Sequence, residues 1–322
     1  DISKIPTGAI RYNTDSQKME CFNGTQWMQI SVSEPVPIGT RGLIGGAETT
    51  NVISHYTIAT TGNAQDFGDL TNAQDYAAAC GSRTRATWAG GRDPSNVNII
   101  SYITIANTGN ALDFGDISTQ RRELSGCANH VRGLIGGGTL GGSNIIEYIT
   151  MSSTGDAQDF GDLTTPLDGA AAFSSPTRGV WAGGEGPSPY PGLNIIQSVE
   201  IASKADAVDF GDLNSGKWSV AGCSSSTRGI INGNNPSSAG TIQYVTIASK
   251  GNSDDFGDWK DAGHSGAAFS SQTRGVWAHG SSPGPSLVQY ITIATLGDGN
   301  DFGDSVSRVY RSSGTSNAHG GL

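Results

Sequence analysis

Six Asp-Phe-Gly-Asp tetrapeptides, starting at Asp66, Asp113, Asp159, Asp209, Asp255 and Asp301, place twelve of the 29 acidic residues in one recurring turn. Carboxylates grouped this way offer two kinds of chemistry: they can ligate a hard cation such as Ca²⁺, or they can hold a guanidinium. A guanidinium recurs with them, in Arg41, Arg85, Arg132, Arg178, Arg228 and Arg274, each followed by Gly except the second, where Ala86 stands. A partly buried, permanently charged Arg needs a partner, so the expectation is one Arg-to-Asp clasp per unit. Ca²⁺ is the alternative, against which stands the absence of the longer, spaced ligand loop of dedicated Ca²⁺ motifs. Within the turn, Gly is expected at positive φ, Phe as a core plug and the two Asp as caps on backbone N–H groups.

Other reactive residues show no catalytic spacing. The five histidines, His55, His130, His264, His279 and His319, form no H-x-x-x-H or H-E-x-x-H pair, and His279 reads as a packed or solvated side chain. No nucleophile elbow or phosphate loop is present, because the Gly-Gly pairs recur with the repeat and are structural. A catalytic site needs distinct acid and base environments, whereas six equivalent Asp and Arg have equivalent surroundings. No catalytic residue, metal ligand or cofactor is therefore assigned. Glu185, Glu200 and Asp261 are the scattered carboxylates that break the repeat. Cys80, Cys127 and Cys223 precede the repeat Arg by five residues, where Phe173 and Phe269 stand in two other units, so the position is an apolar core site rather than a disulfide. Trp88, Trp181 and Trp277 share another core position.

The elements that carry these residues follow from the spacing. The tetrapeptides are separated by 47, 46, 50, 46 and 46 residues, too long for most helical solenoids and within the range of propeller blades. In one unit, short apolar or β-branched runs at 170–175, 177–184 and 194–202 and a short outer run at 206–213 read as four antiparallel strands. Four strands in each of six units is the arithmetic of an all-β, six-bladed β-propeller. The first unit lacks a good first strand, since Glu34-Pro-Val-Pro-Ile38 precedes its Arg, and residues 306–316 are expected to supply it with Tyr310 in the Cys/Phe position. The domain division is then 1–35, an N-terminal hairpin module, and 36–322, the propeller.

Composition narrows the partners. Acidic residues exceed basic ones by 29 to 19, which argues against nucleic acid and anionic membranes, and no apolar run is long enough to span a bilayer. The chain opens on Asp1 without a visible signal peptide, as a processed product or excised fragment would. The loops between second and third strands vary most, so binding is expected there, at Arg92, Asp93, Tyr190, Asn234 and Asn235, with Tyr190 held between prolines as the best anchor.

Two resemblances add to this. A strand ending in Gly-Gly, a variable loop, a strand carrying Tyr (Tyr56, Tyr102, Tyr148, Tyr244, Tyr290) and an aromatic in the last strand together resemble kelch repeats over residues 38–322, with Phe where kelch units usually carry Trp. Residues 8–30 are similar to a short β-module of tailed-phage fibre and virion proteins, matching at Ile10, Arg11, Tyr12, Asn13, Thr14, Glu20, Phe22, Gly24 and Trp27. That resemblance implies a non-enzymatic, extracellular virion protein used for host attachment or particle assembly. The implied partners are other virion proteins through residues 8–30, further copies of the chain in a homo-oligomer, and a host-surface glycan or protein. The competing functions are a propeller-type polysaccharide-degrading enzyme on the virion, which should show two carboxylates in one unit that break the repeat, and a cellular secreted adhesin.

Overall fold

The computed structural model describes residues 4–14, 18–29, 40–48, 50–139, 142–187, 192–234, 240–260, 266–280 and 287–322. Contacts divide the chain into two compact units, Asp1–Ile38 and Gly39–Leu322.

In the first unit, strands Ile10–Asn13, Lys18–Phe22 and Trp27–Gln29 form an antiparallel meander in sequential order. Asn23 closes the second turn by accepting from the Thr25 and Gln26 N–H groups at 2.9 and 2.8 Å, a side-chain turn of the kind Asn favours. Arg11 pairs with Glu20 at 2.8 Å and lies 4.2 Å over the Trp27 ring. The register Ile10↔Cys21↔Met28 and Tyr12↔Met19 gathers apolar residues on the other face, where Ile10, Tyr12 and Met28 are 61%, 57% and 50% exposed.

The second unit is all-β, with no α-helix among the described residues. Its recurring piece is a four-stranded antiparallel sheet in sequential order, as in Ala78–Gly81, Arg85–Ala89, Ile99–Thr104 and Leu112–Asp116. The same piece recurs at Ser125–Ala128, Arg132–Gly136, Ser143–Thr150 and Gln158–Leu167, and at Ala267–Ser270, Arg274–Ala278, Leu287–Thr292 and Asn300–Asp304. Between them, two copies merge into one seven-stranded sheet because Val208–Ser224 runs on from the fourth strand of one copy into the first of the next. The short outer strand expected at 206–213 is thus corrected to a long one.

In the remaining sheet, Ser313–Ser316 pairs with Arg41–Ala47, followed by Thr50–Thr57 and Gln65–Asp69. The register Thr315↔Leu43 corresponds to Cys80↔Thr87, so Thr315, not Tyr310, holds the Cys/Phe position. Likewise His55 pairs with Leu43 as Tyr102 pairs with Thr87, which shifts the Tyr position of the first sheet from Tyr56 to His55. Tyr56 is buried instead against Phe269.

The tetrapeptide is explained by contacts between successive sheets. A register shift between Ile53 and Ser54 leaves Phe67 unpaired in a bulge, and Phe67 is 2% exposed. Gly68 follows at φ 147°, and a Cβ there would collide with the Gly109 carbonyl of the next sheet. Gly109 N–H in turn donates to Phe67 O at 2.8 Å, and Asn110 Oδ1 accepts from Asp69 N–H at 3.1 Å. The final Asp is therefore capped by its neighbour rather than acting as a cap itself. Asp116 with Asp156, Asp162 with Asp206, Asp212 with Asn252, Asp258 with Asp298 and Asp304 with Asn63 repeat the bond at 2.9–3.1 Å.

The Arg-to-Asp clasp is also corrected. Arg41, Arg85, Arg132, Arg178, Arg228 and Arg274 donate to the carbonyls of Ile105, Met151, Ile201, Ile247, Ile293 and Ile58, each at the end of the next sheet's third strand. Asp66, Asp113, Asp159, Asp209, Asp255 and Asp301 are exposed at the outer edge. A hydrated carboxylate gains little from an ion pair, whereas a strand-end carbonyl lacking a ladder partner gains a charged donor. Four of these Arg stack 4.4–5.0 Å over the Tyr of their own sheet. Arg178, where Ser198 replaces that Tyr, pairs with Glu200 at 2.9 Å.

Candidate functional site

The first strands of all six repeats line one open cavity of about 320 Å³. Its floor consists of Ala79, Gly126, Ala172, Gly222, Ala268 and Gly314, the second residue of each first strand. Small residues are required because adjacent strands crowd together: a Cβ on Gly126 would stand 2.6 Å from Ala79 O, and one on Gly314 2.6 Å from Ala268 O.

Above the floor, the residue nine places before the repeat Arg turns into the left-handed region in four units. Tyr76, Glu123, Gly169 and Ser219 have φ of 58°, 59°, 57° and 51°, and Arg311, in the equivalent place before Ser313–Ser316, has 66°. Such angles are uncommon outside Gly. Here they turn the backbone toward the neighbouring sheet: Tyr76 N–H donates to Arg311 O at 2.8 Å, and Glu123 N–H to Tyr76 O and Gly169 N–H to Glu123 O at 2.9 Å. The backbones are equivalent and the side chains are not. Tyr76, Glu123, Ser219 and Arg311 line the cavity together with Glu185.

One part of the lining, Glu123 and Glu185, is acidic and is backed by Asp168, which does not itself line the cavity. Asp168 and Glu185 exchange backbone hydrogen bonds at 3.0 and 2.8 Å, and Asp168, 4% exposed, has a carboxylate oxygen without a hydrogen-bond partner. Burial, reinforced by Glu123 and Glu185, pushes the Asp168 carboxyl up to about 7. Burial also raises Glu123; Arg122, 3.4 Å from it, and Arg311 oppose that shift while Glu185 adds to it.

The adjoining part is basic and aromatic. Arg311 pairs with Glu48 at 2.8 Å and lies 4.9 and 4.6 Å over Tyr76 and Tyr310. Arg92 grips Asp75 through two bonds of 3.1 and 2.6 Å and sits 5.6 Å from the Tyr76 ring. Burial pushes the Tyr76 phenol up to about 12, against the pull of Arg311, so it stays a neutral hydroxyl. Carboxylate acceptors, a guanidinium, an aromatic face and a serine hydroxyl over a small-residue floor suit a compact polar ligand. Among the described residues no three His, Cys, Asp or Glu side chains converge on a metal position.

The residues singled out from sequence fall unevenly on this picture. Arg92 buttresses the cavity edge through Asp75, and Glu185 lines it. Asp93 accepts from Asn72 at 3.4 Å, outside the lining. Asn234 ends the strand Arg228–Asn234 and pairs with Trp218, while Tyr190, Asn235 and Asp261 lie outside the described residues. Glu200 belongs to Arg178. His279 is buried and bonded to Gln289 at 3.0 Å. Tyr76, Glu123, Asp168 and Arg311 were not singled out; the signal for Tyr76 and Glu123 is the position nine before the repeat Arg, which varies through Tyr76, Glu123, Gly169 and Ser219 and is followed each time by an apolar residue.

No protein-family model matches this chain, and no curated protein matches it.

Proposed function

We propose that residues 40–322 form a closed six-bladed β-propeller whose cavity mouth binds a compact polar ligand without turning it over. Closure is supported by two kinds of contact that run from each sheet to the next and from the last to the first, Arg274 to Ile58 and Asp304 to Asn63, and by the pairing of Ser313–Ser316 with Arg41–Ala47 inside the first sheet. Binding is supported by one observation above the others. Backbone-equivalent positions carry Tyr76, Glu123, Ser219 and Arg311 around a single cavity, so the scaffold breaks its own symmetry at one place. The similarity of residues 8–30 to the phage virion module suggests the setting: a structural protein of a tailed-phage particle, used in attachment or assembly. Its apolar meander face, with Ile10, Tyr12, Met19 and Met28 exposed, is where another virion chain or a further copy would pack.

A second reading has a specific observation behind it. Glu185 is a carboxylate that breaks the repeat, standing where Arg92 stands in another unit, and the Asp168 bridged to it is poised near neutrality, as the general acid of a glycan-cleaving enzyme would be. The test compares host-cell binding by the intact chain, a Glu123→Gln/Glu185→Gln variant and a form lacking residues 1–35. Binding lost in the carboxylate variant and kept by the shortened form supports the cavity; loss only in the shortened form transfers recognition to the meander. Release of oligosaccharide by the intact chain establishes the enzyme.

A further inference from the structure

The narrow end of the same cavity is closed by the chain itself. The fourth residues of the first strands form a ladder in which Ser174, Ser224 and Ser270 hydroxyls donate to the carbonyls of Ala128, Ser174 and Ser224 at 2.7, 2.7 and 2.8 Å. The ladder stops at Ala128, which has no hydroxyl to offer the next carbonyl, that of Gly81. His319 fills the gap: its Nε2 lies 2.8 Å from Gly81 O, and Gly321 N–H donates to its Nδ1 at 3.1 Å. These two bonds fix the neutral tautomer with the proton on Nε2. The following residues are sterically matched to the hole, since a Cβ on Gly320 would collide with Ser225 O and one on Gly321 with Ala128 O.

We propose that residues 317–322 are an acid-released plug, held by neutral His319 and expelled when its imidazole takes a second proton. A proton on Nδ1 would face the Gly321 N–H, donor against donor. Among the described side chains around it, none offers a countercharge. The titratable residues lining the narrow end are the thiols of Cys80, Cys127 and Cys223, all held neutral by burial. In the turns that follow the first strands, the ionisable side chains are Arg83 and His130, both exposed and neither a carboxylate. Gln272 holds the segment through the His319 carbonyl at 2.9 Å, a bond indifferent to pH. Burial, opposed by the Gly81 bond, lowers His319 from 6.5 to about 4. The released segment therefore binds the proton more readily than the seated one between these values. Seating is fully favoured above pH 6.5, and the released fraction grows by up to roughly tenfold per unit as pH falls toward 4.

Hydrogen–deuterium exchange of the peptide spanning 312–322, corrected for the intrinsic rate, tests this at pH 7.5 and 4.5. The expected result is at least tenfold loss of protection at pH 4.5, with peptides covering 267–278 unchanged. His319→Gln should abolish the loss, because an amide offers the same donor to Gly81 O and the same acceptor to Gly321 N–H without titrating. Equal protection at both pH values, or equal loss in the Gln variant, overturns the proposal. If the Gln variant does not fold, an NMR titration of the unaltered chain decides: a His319 midpoint above 6 overturns it, and one below 5 supports it.

Discussion

The Arg274 guanidinium donates to the Ile58 carbonyl at 2.8 Å, joining the last repeat Arg to the first sheet across 216 residues of sequence. The same bond joins Arg132 to Ile201 at 2.7 Å over 69 residues. A contact that is local in sequence elsewhere becomes long-range only where the two ends meet, which is why it bears on closure.

Arg274→Ala should remove this bond together with the stack over Tyr290, at a cost of about 2 kcal/mol. Urea unfolding monitored by tryptophan fluorescence measures it. If closure matters, Arg132→Ala should cost a similar amount, and a much smaller loss in Arg274→Ala would mean that the end-to-end contact is dispensable.

Strand periodicity, the Phe as a core plug and the supply of a strand from residues 306–316 were all visible in the repeat, whereas the bulge that holds the Phe was not. The partner of the Arg was not. Its acceptors are main-chain carbonyls at Ile58, Ile105 and their equivalents, and a carbonyl leaves no mark on residue identity. Tyr56 stood in for His55 because it is the one Tyr of the strand Thr50–Thr57, although His55, eleven residues before Asp66 as Tyr148 is before Asp159, holds the paired position. The cavity was hidden for a different reason: Tyr76, Glu123 and Arg311 lie far apart in sequence, and only left-handed backbone at each brings them to one lining. The Gly-Asn or Gly-Asp pairs at 62–63, 109–110 and 155–156, which cap the neighbouring turns, were legible but unread.

Gly68 and Gly109 should respond differently to alanine. Both have positive φ, but a Cβ at Gly68 meets the Gly109 carbonyl whereas one at Gly109 meets nothing within 4 Å. Gly68→Ala should cost about 3 kcal/mol and Gly109→Ala about 1 kcal/mol by thermal unfolding.

Removing residues 312–322 should strip the first sheet of its Ser313–Ser316 strand and expose the Arg41–Ala47 edge. Size-exclusion chromatography should show aggregates, and a synthetic peptide of residues 312–322 should restore the monodisperse species. A shortened chain that remains folded and monodisperse contradicts the strand's role.

Asp168 makes stability depend on pH. Its folded value of about 7 lies above the ordinary 3.8, so the folded chain holds a proton that the unfolded chain releases between these values. Stability should therefore fall as pH rises from 4 to 7, by roughly 1 kcal/mol after solvent screening. Asp168→Asn should flatten that part of the profile in urea midpoints measured from pH 4 to 8.

Recognition at the cavity is tested most directly by probing an array of bacterial surface glycans with the intact chain and with Glu123→Gln/Glu185→Gln, while the bound saccharides are analysed for cleavage. The expected result is retention of a narrow set of glycans by the intact chain, at least tenfold weaker retention by the double variant, and no shortened product. Equal retention by both chains, or the appearance of cleaved glycan, would contradict binding without turnover at this site.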